Sequence, residues 1–148
     1  MNDKDFVVLM AEDDEHDIIA TKRAWKANRM ANPLYIVNDG EECLDYLYRR
    51  GSYSDPVTSP PPGILLLDIN MPKMDGLETL KAIRESREFR HLPVIMLTTS
   101  QAEEDRIKSY AFGANAYIVK PIGFDNFSEA IRTINQFWKL VELPGGNR

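Results

Sequence analysis

With 148 residues, 43% of them hydrophobic and 28% charged, the chain has the size and composition of one globular domain with a sizeable core. Its 23 acidic and 18 basic residues leave a net charge of −5, which argues against nucleic acid as the main partner. No apolar stretch approaches a membrane span, the polar start Met1-Asn2-Asp3-Lys4-Asp5 lacks the apolar region of a signal peptide, and the single cysteine, Cys43, can form no internal disulfide; a reducing, cytoplasmic setting is expected.

The first apolar run, Phe6 to Ala11, reads as a strand and ends in acids, Glu12, Asp13 and Asp14. A helix is predicted from about Glu15 to Met30, stopped by Asn32-Pro33, with Ala20, Ala24 and Ala27 on one face beside Trp25. Acids ahead of a helix also suit its N-terminus, and for Asp14 a solvated helix-start charge is the expected role. Leu34 to Val37 is a second strand, closed by Asn38-Asp39-Gly40, and Glu41 to Arg50 a second helix with Cys43, Leu44 and Leu47 inward. Cys43 is expected to be a small core residue. Residues 51–62 hold Gly, Ser and four prolines, three of them consecutive, and read as an extended surface loop.

The central stretch is Gly63-Ile-Leu-Leu-Leu-Asp68-Ile-Asn70-Met-Pro72-Lys-Met-Asp75-Gly76. Its apolar run, Ile64 to Leu67, has the pattern of a strand buried on both faces, and it ends abruptly in the carboxylate of Asp68. Asp75 is placed to cap a helix, and Glu78 to reach back and close a capping box. Leu77, Leu80 and Ile83 follow at helical spacing. Leu92 to Thr98 is a fourth strand, followed by a helix from about Ala102 to Phe112, closed by Gly113. Ala116 to Val119 is the fifth strand, ending in Lys120-Pro121. A last helix begins near Phe124 and carries the apolar stripe Phe127, Ile131, Ile134 and Trp138.

Strand and helix alternate five times, the signature of a parallel sheet with right-handed crossovers. The predicted fold is a doubly wound, flavodoxin-like (βα)5 α/β domain with strand order 2-1-3-4-5. Open sheets of this kind bind ligands at the carboxyl ends of their strands, where Glu12, Asp13, Asp68, Thr98 and Lys120 would gather. Clustered carboxylates need a counter-charge, and Mg²⁺ takes a few carboxylates while keeping several waters. Asp68 has the chemistry to form an aspartyl phosphate, with Thr98 and Lys120 stabilising phosphoryl oxygens. His16 and His91 have no metal-ligand spacing and read as ordinary surface or packing residues.

The segment Leu67-Asp68-Ile-Asn70-Met-Pro72-Lys-Met-Asp75-Gly76 resembles the phosphoacceptor segment of two-component response regulator receiver domains. The resemblance runs from Phe6 to about Leu140 and implies a single receiver domain over 1–148, with a core of about 6–140 and a short C-terminal tail. It places Glu12 and Asp13 on the acid pair, Asp68 on the phosphoacceptor and Asn70 on the position whose backbone carbonyl binds metal. Thr98 falls on the switch hydroxyl, Lys120 on the signature lysine and Tyr117 on the switch aromatic. The implied function is phosphorelay signalling. Asp68 accepts a phosphoryl group from a sensor histidine kinase with Mg²⁺ and loses it slowly to water, and the helix 4, strand 5 and helix 5 surface switches.

Three positions depart from the common pattern. Glu12 stands where many receivers carry Asp, so its longer arm reaches metal directly or through a water. Thr99 stands where many relatives have Ala or Gly, and Asp14 adds a third acid. The proline-bearing loop, Leu97-Thr98-Thr99-Ser100 and Phe137-Trp138 are similar to stand-alone receivers paired with phytochrome-type sensor histidine kinases. A homodimer through the same switching surface is expected, because Phe137, Leu140, Val141 and Leu143 are left over from the stripe of the last helix. Two rival readings differ in class. A related phosphatase would place a second Asp at position 70, where Asn70 cannot exchange protons, so no enzyme activity beyond slow self-dephosphorylation is expected. The second rival, a degenerate receiver serving as a phosphorylation-independent interaction module, is opposed by the intact Asp13, Asp68, Thr98 and Lys120.

Overall fold

The structure, a computed structural model, describes residues 6–27, 29–98, 102 and 116–119, with 98 and 116–119 described as backbone. In chain order the elements are β1 (Val8–Ala11), α1 (Glu15–Ala27), β2 (Leu34–Val37), α2 (Gly40–Leu47), β3 (Ile64–Asp68), α3 (Gly76–Glu85), β4 (Val94–Thr98) and β5 (Ala116–Val119), with a short 3₁₀ turn at Gly51–Tyr53. The five strands form one parallel sheet in the order β2-β1-β3-β4-β5, as the alternation predicts. The helices predicted at 102–112 and from 124 onward lie outside the described residues.

Both faces of the sheet are covered, because successive strand residues point to opposite sides. Leu9, Ala11, Leu65, Leu67, Val94 and Met96 pack with α2 and α3, through Cys43, Tyr46, Leu47, Leu77, Leu80 and Ile83. Val8, Met10, Ile64, Leu66, Ile95 and Leu97 pack with Ala24 and Trp25 of α1. Every residue of β3 is buried, which explains its unbroken apolar run. Burying each of Ile64, Leu65, Leu66 and Leu67 contributes about 1.5–3 kcal/mol. Among the described residues no helix is long and apolar enough to cross a membrane.

Two helices end earlier than their sequences suggest, by the same device. α1 stops at Ala27: the Arg29 N–H donates to the Lys26 carbonyl and the Met30 N–H to that of Trp25, with Arg29 at φ 51°. α2 stops at Leu47: the Arg49 N–H donates to Tyr46 and the Arg50 N–H to Asp45, with Arg49 at φ 58°. These are Schellman closures with arginine in the left-handed position usually given to glycine. The inward face of α1 also differs from expectation. Thr21, Ala24 and Trp25 are buried, while Ala20 and Ala27 are exposed. The 51–62 loop is less extended than predicted, for the Tyr53 ring packs tilted against that of Tyr46 at 5.2 Å and the Tyr46 hydroxyl donates to the Pro60 carbonyl at 2.7 Å.

Candidate functional site

The register fixes which strand ends meet. Ala11 pairs with Leu67, so Glu12 and Asp13 leave β1 beside Asp68, the last residue of β3. Their ladders run one residue further, through the Glu12 N–H to the Val37 carbonyl and the Ile69 N–H to the Leu97 carbonyl. One carboxylate oxygen from each of Glu12, Asp13 and Asp68 lies within 4.8 Å of the others. Glu12 and Asp68 are buried, at 0% and 4% exposure, and Asp13 is open to solvent. Two buried acids and one at the mouth make a pocket of hard oxygen donors, the donor type preferred by Mg²⁺ and Ca²⁺. The donor set therefore fits a divalent cation, which would also relieve repulsion among the acids.

Local contacts hold Glu12 and the segment of Asp68. The Glu12 carboxylate accepts the Asp14 N–H at 3.1 Å, and the Glu12 carbonyl accepts the Asn38 side-chain amide at 3.2 Å. Asp14 lies outside the cluster and caps α1, its carboxylate accepting the N–H groups of His16 and Asp17 at 2.8 and 3.2 Å. Asp68 sits where α3 begins. The Gly76 N–H donates to the Ile69 carbonyl at 2.9 Å, and a Cβ at Gly76 would overlap the Asp68 carbonyl oxygen. Only glycine allows that close approach. Asp75 and Glu78 form the expected capping box, each bond 2.9 Å long.

The remaining predicted residues are placed by backbone alone or fall outside the described residues. Asn70 is exposed in the loop after β3. Thr98 ends β4, one residue past Leu97, which pairs with Asp68. Thr98 in turn pairs with Val119, and Tyr117 pairs with Met96. Lys120 and Thr99 lie outside the described residues. His16 and His91 are exposed. Sequence reading missed Asn38, Tyr46 and Gly76. Only Gly76 carried a signal, as the glycine of an Asp-Gly pair at a helix start.

Away from the site, Cys43 is fully buried, and that burial, followed by the charges of Asp39 and Glu42, pushes its thiol up to about 12. Burial, then the charge of Glu42 and a hydrogen bond to it, pushes the Tyr53 hydroxyl up to about 12 as well.

A parallel sheet in this order, with acids gathered at the tips of β1 and β3, defines a class, and the sequence agrees with it. Residues 8–132 match the response regulator receiver domain, and the chain belongs to that family. Among its relatives is the response regulator Rcp1 of Synechocystis sp., 34% identical over 139 residues that span 93% of this chain and 92% of that protein. The bacteriophytochrome response regulator RtBRR superposes with a TM-score of 0.77 at 41% identity, over 86% of this chain and 76% of that one. The phosphorylated cyanobacterial phytochrome response regulator RcpA superposes at 0.76 with 30% identity, over 90% and 94%. A structure of the Mn²⁺-bound form of Rcp1 gives a TM-score of 0.74 at 33% identity, over 90% and 94%. The chain is thus a receiver of the kind found in phytochrome response regulators.

Proposed function

We propose that this receiver takes a phosphoryl group from a phosphohistidine of a phytochrome-type sensor histidine kinase onto Asp68. The observation that carries the reading is the convergence of the Glu12, Asp13 and Asp68 carboxylates within 4.8 Å at the tip of the central strand. The structures of phosphorylated RcpA and of the Mn²⁺-bound form of Rcp1 support it.

A carboxylate oxygen of Asp68 attacks phosphorus. The phosphorus–nitrogen bond breaks, the imidazole leaves with the electron pair and takes a proton, and an aspartyl phosphate remains. Asp13 and Asp68 would hold Mg²⁺ together with the Asn70 backbone carbonyl, and Glu12 would do so directly or through a water. The bound ion would neutralise charge on the acids and on the phosphoryl oxygens. Thr98 donates a hydrogen bond to one phosphoryl oxygen and Lys120 pairs with another. Thr98 moving toward the group leaves space that Tyr117 fills, a local electrostatic event read out by packing on the surface predicted from sequence as helix 4, strand 5 and helix 5. Water attack on phosphorus slowly returns Asp68 and releases inorganic phosphate. The protein acts as a phosphoacceptor in phosphorelay signalling, in the cytoplasm, as one receiver domain over 1–148 with a core of about 6–140.

Incubation with acetyl phosphate and Mg²⁺, followed by intact mass, tests the proposal. A stable adduct of one phosphoryl group is the result expected. Continuous release of phosphate without an adduct would make the protein a phosphatase. No uptake at all would leave an interaction module with a degenerate site.

A further inference from the structure

The corner between β2 and α2, residues 38–40, has no part in the chemistry above, yet it touches both loops that carry candidate ligands. On one side the Asn38 side-chain amide donates to the Glu12 carbonyl at 3.2 Å, a tertiary contact between residues 26 apart in sequence. On the other, the Gly40 N–H donates to the Met74 carbonyl at 3.1 Å, and Asp39 faces the Lys73 ammonium at 3.8 Å, so the loop after Asn70 is fastened to the same corner. We infer that Asn38 is a positioning residue for the cation site, fixing the Glu12–Asp13 peptide and so the stance of the Asp13 carboxylate. This inference rests on reading the acidic cluster as a divalent-cation site.

The peptide unit is planar, so holding the Glu12 carbonyl oxygen also holds the Asp13 nitrogen and the direction in which Asp13 leaves the backbone. Control is needed there, because the last ladder bond of β1 is made by the Glu12 N–H and Asp13 stands beyond it, in solvent. Asn38 is itself braced. Its N–H donates to the Glu42 carboxylate at 2.6 Å, and the Glu42 N–H donates to Asp39 at 2.7 Å, which locks the corner to the first turn of α2. Nor does the backbone demand asparagine at this position. Among the described residues the non-glycine positive φ values belong to Arg29, Arg49 and Lys73, and Asn38 is not one of them. What the side chain supplies is a neutral donor beside an acidic cluster. Aspartate could not donate, and an aliphatic residue would leave the carbonyl to water.

Mg²⁺ titration by calorimetry on the wild type, Asn38→Ala, Asp13→Asn and the double variant tests the inference, with metal-free melting temperatures in parallel. Outer ligand-orienting contacts characteristically cost 10–100-fold in metal affinity, and for this exposed donor Asn38→Ala should weaken Mg²⁺ binding about three- to tenfold. The metal-free melting temperature should stay near wild type, and in the Asp13→Asn background the loss should largely vanish. Asn38→Ser, which shortens the donor, carries the same expectation should Asn38→Ala not yield folded protein. Wild-type affinity in both position-38 variants, or an equal loss with Asp13 already neutralised, would overturn the inference alone. Failure of the wild type to bind Mg²⁺ would instead remove the cation-site reading, and the inference with it.

Discussion

At the scale of single residues, the site is a compromise between burial and repulsion. Glu12 and Asp68 are carboxylates with almost no solvent access, and Asp13 closes the cluster from the solvent side. Carboxylates this close repel one another when no cation lies between them. Asp13→Ala should therefore raise the metal-free melting temperature while weakening Mg²⁺ binding more than Glu12→Gln does. A substantial fall in that melting temperature would mark the acids as structural. Cys43 gives an independent check on the core. Its thiol, pushed up from 9.0 to about 12, should resist a disulfide reagent in native protein and react at once after unfolding. Because the folded value is the higher one, the stabilisation is fully present below pH 9 and is lost as pH rises through about 12. Much of this was legible in the sequence: a charge ending an apolar run located Asp68, and a small residue sharing a helix face with Leu44 and Leu47 located Cys43. The roles of Asn38 and Tyr46 were not, because each depends on a carbonyl far along the chain, of Glu12 and of Pro60.

At the scale of elements, starts were easier to read than ends. The start of α3 was written locally, as Asp75 with Glu78 three residues on, and the structure forms both bonds of the box. Asp75→Ala should cost about 1 kcal/mol, typical of losing a helix cap, and should be visible in the denaturant midpoint without changing the slope. No measurable change would mean that packing of Leu77, Leu80 and Ile83 alone fixes α3. The ends of α1 and α2 were not legible, since Arg29 and Arg49 occupy left-handed positions that sequence rules reserve for glycine or asparagine. The face of α1 was misread for a related reason. Ala20 and Thr21 both fit a helical stripe through Ala24, and it is Thr21 that is buried, its hydroxyl donating to the Asp17 carbonyl at 2.7 Å.

At the scale of the whole molecule, topology was the most legible property, because five alternations with right-handed crossovers leave few arrangements, and the order β2-β1-β3-β4-β5 is the one observed. That order brings Asp68 between the tips of β1 and β4, so the fold itself assembles the chemistry. Assembly between chains is expected from sequence alone. Phe137, Leu140, Val141 and Leu143 form an apolar excess, and such a cluster characteristically marks a partner surface. Sedimentation at micromolar concentration should show a homodimer that Phe137→Glu or Leu140→Glu converts to folded monomer. A wild-type monomer with and without phosphate would contradict it. The central claim, that the molecule is a phosphorylation switch built on Asp68, is tested most directly by intact mass after acetyl phosphate and Mg²⁺, on wild type beside the near-isosteric Asp68→Asn. The account predicts one hydroxylamine-labile phosphoryl group on the wild type and none on the variant, with the same melting transition for both. Full labelling of Asp68→Asn would contradict it.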